Sequence, residues 1–157
     1  MAAPGKSKEL KIITRPAITI ADIINDVRKI ALLQTIKSFG EITEKALIYL
    51  VKNIQDKDVN LGYRFFEIAG SLSSKELKED IIALLYLGLL ETNPRNKKLR
   101  VTSEGLEFLE NHANKLGENA EKIPQLVEEL RSKIIPIDAE QELSFKLLRI
   151  SRRRRRR

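Results

Sequence analysis

The chain has 157 residues, a formal net charge of +7, no cysteine and one histidine. Without cysteine, disulfides, thiolate metal sites and thiol nucleophiles are excluded, which fits a cytoplasmic protein. No apolar run approaches the roughly 18 residues of a membrane span, and the first residues lack the apolar segment of a signal peptide. We therefore expect one domain with appendages and no membrane contact.

The positive charge lies at the two ends of the chain. Residues 1–40 carry a net +4, residues 41–111 carry −2 and residues 112–157 carry +5. Residues 1–18 are predicted to be a flexible basic leader, which is either a solvated tail or an arm that settles on a polyanion.

An N-terminal helix over 20–38 is predicted within residues 19–40. Thr19 can cap this helix, apolar residues recur every three or four positions, and Gly40 ends it. Its apolar face is wide enough to pack either within the chain or across a dimer.

Residues 41–116 have the pattern of a winged helix-turn-helix domain. Thr43 caps a predicted helix over 43–54, and a second, short helix is predicted from Arg64 to Ala69. Two helices joined by a glycine-containing turn are typical of the helix-turn-helix motif.

The stretch from 72 to 102 predicts the recognition helix and wing of that domain. Ser73 or Ser74 can cap the helix, and its apolar residues recur on one face. Gly88 suits a left-handed C-cap. Two short strands follow, around 89–92 and 99–102, with a turn of Asn, Pro, Arg and Asn between them.

Residues 46–110 resemble winged helix-turn-helix transcription regulators of the bacterial and archaeal PadR and MarR kind. The segments that carry the resemblance are ALIYLV at 46–51, LGYRFFEIAG at 61–70, LSSKELKEDIIALLYLGLLE at 72–91 and LRVTSEGLEFLE at 99–110. The resemblance covers less than half of the chain. It implies a DNA-binding regulator whose C-terminal helices form a homodimer.

A helix is predicted from Ser103 to about Lys122, which leads from the winged domain into the C-terminal helices at 117–150. Two more helices are predicted there, over 124–134 and 138–150, separated by Pro136. Their apolar faces suit a homodimer or packing onto the helix over 20–38. The expected fold is thus mainly α with a small β-wing: a winged helix-turn-helix with extra N- and C-terminal helices.

We predict no active site, no metal site and no cofactor. The single histidine, His112, lies on an amphipathic helix, and no phosphate-binding glycine loop or metal-ligand cluster accompanies it. The protein is therefore not expected to be an enzyme.

The wing supplies the first set of predicted nucleic-acid contacts. Arg95, Lys97, Lys98 and Arg100 place four positive charges and no negative ones within eight residues. A basic β-turn suits a phosphate backbone or a minor groove, and the alternative is an ordinary solvated hairpin tip.

The recognition helix supplies the second set, comprising Ser73, Ser74, Lys75 and Lys78. The acidic residues Glu76, Glu79 and Asp80 follow closely, which is unusual for a helix in a major groove. A winged helix that binds protein, or one that relies on its wing and tails, would have the same composition.

The tail at 151–157 supplies the third set. Its members are Arg152, Arg153, Arg154, Arg155, Arg156 and Arg157. Six adjacent arginines repel one another, so we expect disorder until an anion binds. An engineered polyarginine tag is the competing interpretation.

The sequence thus favours a homodimeric DNA-binding transcription regulator, with double-stranded DNA as the preferred partner and RNA as a possible one. The alternative is a structural component of a nucleoprotein particle (ribosome-associated, chromatin or packaging) that binds RNA or DNA backbone through its basic ends. A third hypothesis is a winged helix that docks another protein.

Overall fold

A computed structural model of the chain describes residues 18–57 and 59–156. Over these residues the helices are α1 Ile20–Ile23, α2 Val27–Phe39, α3 Glu44–Gln55, α4 Lys75–Tyr86, α5 Ser103–His112 and α6 Asn119–Arg156. Two antiparallel strand pairs are present, β1 Phe66–Ile68 with β2 Ser71–Ser73, and β3 Leu90–Thr92 with β4 Leu99–Val101. The expected mainly helical fold with a small β-ribbon is confirmed. The predicted leader falls outside the described residues, apart from Ile18.

The centre of the core is α2. Its residues Ile30 and Leu33 are fully buried, and the helix packs against α5, α6 and β4. The N-terminal helix therefore packs within the chain. It is not the single helix predicted over 20–38, because Asp26 separates α1 from α2 and caps α2, accepting a hydrogen bond from the backbone amide of Lys29 (3.3 Å).

The helix predicted over 43–54 is confirmed as α3. The Thr43 hydroxyl caps it by accepting a hydrogen bond from the backbone amide of Ala46 (3.3 Å). Leu47 and Leu50 are fully buried, which fixes the face that α3 turns toward the core.

The short helix predicted from Arg64 to Ala69 is wrong, because β1 and β2 form a hairpin there. Ala69 and Gly70 form its two-residue turn with φ of +51° and +82°, the left-handed values that a tight hairpin requires. Just upstream, the side-chain amide of Gln55 accepts from the backbone N–H of Tyr63 (2.8 Å) and donates to its carbonyl (3.0 Å). These two bonds occupy the backbone N–H and carbonyl groups of Tyr63, which a helical turn would otherwise use. The described residues between α3 and α4 therefore contain no helix.

The helix predicted from Ser73 or Ser74 and the two short strands after Gly88 are confirmed as α4 and the β3–β4 hairpin, and we keep the name wing for this hairpin. Ser74 caps α4 by accepting a hydrogen bond from the backbone amide of Leu77 (3.3 Å). Gly88, at φ +78°, ends the helix, and its amide and the next one donate to carbonyls of the last turn at 3.1 and 3.0 Å. Leu90 then pairs with Val101 across the hairpin.

The helix predicted from Ser103 to about Lys122 is shorter in the structure. Thr102 caps α5 by accepting from the backbone amide of Gly105 (3.0 Å), and α5 ends at His112. A 3₁₀ turn, Ala113–Leu116, then leads into α6.

The two helices predicted over 124–134 and 138–150 are one helix in the structure. A proline inside a helix removes one backbone hydrogen bond and costs about 3 kcal/mol. Packing on both sides of Pro136 offsets this cost, since Ile134 is fully buried and Asp138 is buried with two polar partners. Within the described residues, no helix is long and apolar enough to span a membrane.

Candidate nucleic-acid interface

An open cleft of about 970 Å³ lies between α3, the β1–β2 hairpin, α4, the β3–β4 hairpin and the second half of α6. We call it the basic cleft. Among the residues that the structure describes, five cations from four elements line it, and Glu44 is the only acid. The cations are Lys45 of α3, Lys78 of α4, Lys97 of the wing, and Arg149 and Arg152 of α6.

The four cations of the wing fall into two pairs. The side chains of Arg95 and Lys97 are exposed at the tip of the hairpin. Arg100 is bound instead by Glu91 across the ribbon (2.6 Å) and by Glu41 (3.4 Å). The hydrogen bond and charge of Glu91 raise the pKa of Arg100.

Lys98, the remaining wing cation, faces α6. Its ammonium group lies 2.8 Å from Asp138 and 2.9 Å from Glu142, and its side chain is only 16% exposed. Desolvation opposes its charge, but the hydrogen bonds that it donates to both carboxylates outweigh this effect and raise the pKa of Lys98. Lys98 therefore holds the wing against α6 and is not free to meet a phosphate.

Asp138 is the point where three elements meet. One carboxylate oxygen accepts the backbone N–H of Thr43 at the start of α3 (2.6 Å), and the other pairs with Lys98. The carboxylate is buried, so both partners are needed to offset its desolvation. This arrangement fixes α6 relative to the wing, and so fixes one wall of the basic cleft.

The predicted contact residues at the start of α4 differ in exposure. Ser74 is fully buried and its hydroxyl serves as the cap, whereas Ser73 lies half-buried in β2. Lys75 and Lys78 are exposed, and Lys78 lines the basic cleft. Lys75 lies 4.0 Å from Glu79. Lys75 and Lys78 therefore present exposed ammonium groups, Ser73 lines the basic cleft, and the hydroxyl of Ser74 is occupied as the cap.

The acidic residues of α4 are largely engaged within the protein. Asp80 is buried and binds Arg28 (2.7 Å), Lys29 (3.2 Å) and the hydroxyl of Tyr63 (2.7 Å). Its hydrogen bond raises the pKa of Arg28. Burial, together with the adjacent Asp80 charge, raises the pKa of Tyr63. This network anchors α4 to α2 and to the segment before β1.

Glu76, another acid of α4, pairs with Arg64 (3.2 Å). Glu79 alone among the three acids stands on the outward face, with its i,i+4 partner Lys75. Lys78 is exposed on that face as well, and so are Ile82 (65%) and Tyr86 (63%). The outer surface of α4 is thus mixed rather than acidic.

The predicted disorder of the tail is wrong for residues 151–156, which continue α6. Arg152 to Arg155 are exposed. Successive residues are turned by about 100° around a helix, so the four guanidinium groups point in different directions. Arg152 lines the basic cleft, and Arg149, one turn earlier, donates a hydrogen bond to the backbone carbonyl of Arg95. Arg157 lies outside the described residues.

Sequence reasoning missed several residues of this site, and two of them left a signal. Asp80 falls on the same helical face as Leu77 and Leu84, which predicts a buried carboxylate that needs partners. Asp138 follows Ile134 by four residues on the buried face of α6, but that register is visible only if the helix runs through Pro136.

Comparisons with known proteins identify no relative. No family model, curated protein or solved structure matches the chain. Among the described residues, no group of three or more His, Cys, Asp or Glu could hold a metal ion, and His112 lies against Phe108 with ring centroids 4.5 Å apart.

Proposed function

We propose that the protein binds nucleic acid as a cytoplasmic winged-helix protein and acts as a DNA-binding transcription regulator. The observation that carries the proposal is that cations from α4, the wing and α6 converge on one cleft. Regions far apart in the sequence therefore present positive charge on the same side of the molecule. The role is one of binding, without catalysis and without a cofactor.

The residues have distinct parts in this proposal. Lys75 and Lys78 at the start of α4 meet phosphates at the edge of a groove, and Arg95 and Lys97 at the wing tip meet the adjacent backbone or minor groove. Lys98 and Arg100, together with Ser74, position these elements. The arginines from 152 onward add affinity that does not depend on the sequence of the nucleic acid.

The winged-helix assignment is supported by α4, its glycine end, the β3–β4 ribbon and α5, in that order. The β1–β2 hairpin takes the place where a helix-turn-helix has its first helix. The Asp80 network joins α4 to α2 and to Tyr63, and Leu77 and Leu84 of α4 are fully buried in the core.

A homodimer is part of the proposal. Leu143, Leu147 and Ile150 are 56%, 58% and 48% exposed and recur at helical spacing on the outward face of α6. An apolar stripe of this kind suits a second copy of the same helix, and a two-fold dimer would read two half-sites on a duplex.

One observation favours a second candidate, a structural component of a nucleoprotein particle. The outward face of α4 ends in the apolar side chains Ile82 and Tyr86, which offer few donors to base edges. Such a protein would bind DNA or RNA backbone through its wing and tail without reading sequence.

A salt-series binding assay tests the proposal. Full-length protein, a chain ending at Ser151, and the double variant Arg95→Glu/Lys97→Glu are titrated with random duplex DNA and with structured RNA. If the wing tip meets about two phosphates, the slope of log K against log salt should be shallower by about 2 in the double variant than in the wild type. Lys37→Glu, an exposed charge on α2 outside the cleft, is the control and should leave that slope unchanged.

The truncated chain distinguishes the two candidates. A regulator retains DNA binding with a shallower salt slope after truncation, and prefers one duplex over random sequence. Loss of all binding to both DNA and RNA on truncation would instead support the particle component. Binding that is insensitive to the wing variant would contradict both.

A further inference from the structure

The basic cleft contains more apolar surface than a phosphate backbone requires. Ile48 and Ile81 are buried in its wall, and Leu85, Phe145 and Leu148 lie along it. Phosphates engage charged and polar groups and leave aliphatic side chains uncovered. The lining as a whole therefore matches a ligand that is both anionic and apolar.

We propose that the basic cleft is a docking site for an acidic amphipathic segment of a partner protein. Carboxylates on one side of the segment meet the cations of the cleft, and apolar side chains on the other side pack against its aliphatic wall. The proposal does not depend on nucleic-acid binding, because a chain that fails to bind DNA can still bind such a segment.

The positive charge of the basic cleft is the reason to expect an acidic peptide there. Within the described residues no ion pair engages any of the five cations of the cleft, although the neighbouring Lys98 and Arg100 each have two carboxylate partners. In the described part of the chain, Glu44 is the only acid in the lining. The cations come from four elements, so they suit several carboxylates spaced along a peptide better than one compact anion.

The chain's own segments do not fit the cleft. Residues 1–17 carry four Lys or Arg and one Glu, so their charge has the same sign as the cleft. The outward stripe of α6 belongs to a helix that ends in arginines, which would repel the cleft of a second copy. An acidic partner is therefore preferred over self-association at this site.

A peptide-binding assay on the full chain tests the proposal. The probe is a fluorescein-labelled peptide of about 15 residues, with Leu and Phe at helical spacing and Glu between them. The controls are a scrambled peptide of the same composition and a peptide with Lys in place of every Glu. Fluorescence anisotropy should show binding of the first peptide, and at least about tenfold weaker binding of the other two.

Two adjacent leucines provide matched protein variants. Leu148 and Leu147 are 57% and 58% exposed on α6, but only Leu148 lines the basic cleft. Leu148→Asp should weaken peptide binding about tenfold or more, and Leu147→Asp should leave it unchanged. Because both side chains are exposed, both variants should fold. The cleft lies within one chain, so a change in oligomeric state does not disturb the comparison.

Three outcomes would overturn the proposal. The first is equal binding of the designed and scrambled peptides, which would reduce the interaction to charge alone. The second is an equal effect of Leu148→Asp and Leu147→Asp. The third is a loss of oligonucleotide binding, without loss of peptide binding, in Leu148→Asp, which would assign the apolar wall to nucleic acid.

Discussion

Lys98 and Asp138 join the wing to the last helix, with 2.8 Å between the ammonium nitrogen and a carboxylate oxygen. The two residues are 40 positions apart in the sequence. Since Asp138 also binds the backbone of Thr43, the positions of the wing and of the first turn of α3 both depend on one side chain of α6.

Replacing Asp138 by alanine should therefore destabilise the protein. The change leaves the buried N–H of Thr43 without its acceptor and removes one carboxylate from Lys98, and we expect a loss of about 3 kcal/mol in the free energy of unfolding. Urea denaturation measures it. Glu140→Ala, an exposed change two residues along the same helix, should cost less than about 0.5 kcal/mol. Equal costs would contradict the role of Asp138.

Tyr63→Phe should weaken the anchoring of α4. The hydroxyl donates a 2.7 Å hydrogen bond to buried Asp80, and loss of a hydrogen bond to a charged acceptor costs about 2 kcal/mol. Tyr86→Phe removes an equivalent hydroxyl from a side chain that is 63% exposed, and should be neutral. The comparison is made by thermal and urea unfolding, and a neutral Tyr63→Phe would show that the network does not stabilise α4.

Stability should fall in acid, partly through Glu142. A hydrogen bond from Lys98 and its positive charge hold the pKa of Glu142 below its ordinary value of 4.5. Because the folded-state pKa of Glu142 is lowered, its contribution to stability is fully present above pH 4.5. The contribution disappears as the pH falls through the folded-state pKa. Urea midpoints measured across this range should fall less steeply in Glu142→Gln than in the wild type. Glu140→Gln should retain the wild-type slope, and identical slopes in all three proteins would exclude the effect.

Gly105→Ala should destabilise the junction of α5 and the wing. A Cβ at this position would overlap the backbone carbonyl oxygen of Leu89 and crowd a methyl group of Val101. Overpacking of this kind costs about 1–3 kcal/mol. Glu107→Ala, at an exposed position of the same helix, raises helix propensity without a clash and should be neutral or slightly stabilising. Unchanged stability in Gly105→Ala would mean that α5 can move away from Leu89 and Val101 at little cost.

The dimer of the proposed function predicts that Leu147→Lys shifts the protein toward monomer. A charge in the centre of the stripe formed by Leu143, Leu147 and Ile150 would be buried without a partner. Sedimentation velocity over a range of protein concentrations measures the shift. Leu148→Lys, which points into the basic cleft, should leave the oligomeric state unchanged. If the wild-type protein stays monomeric at every concentration, the proposed homodimer is wrong.

Local signals predicted the part of the fold from α4 to β4. Ser74 and Gly88 mark the ends of α4 by their own backbone chemistry, and the turn residues between 93 and 96 separate two short apolar runs. No tertiary information was needed there. The exposed cations of the wing tip, Arg95 and Lys97, could be identified for the same reason.

The errors arose where distant contacts decide the local structure. The apolar run near Phe66 suits a helix or a strand, and the side chain of Gln55 selects the extended form upstream of it. Pro136 would break an isolated helix, yet contacts with α2 and α3 carry α6 through it. The engagement of Lys98 could not be predicted, because its partner Asp138 was expected at the start of a separate helix.

The continuity of α6 changes what its arginines can do. A disordered arm follows the contour of whatever it binds, and loses conformational entropy when it settles. Residues 139–156 instead form a rod of about 27 Å at 1.5 Å per residue. Its origin is fixed at Asp138, so the guanidinium groups stand at set distances from the wing. A ligand that binds both the wing and these arginines would therefore need negative charges at the distances that the helix sets.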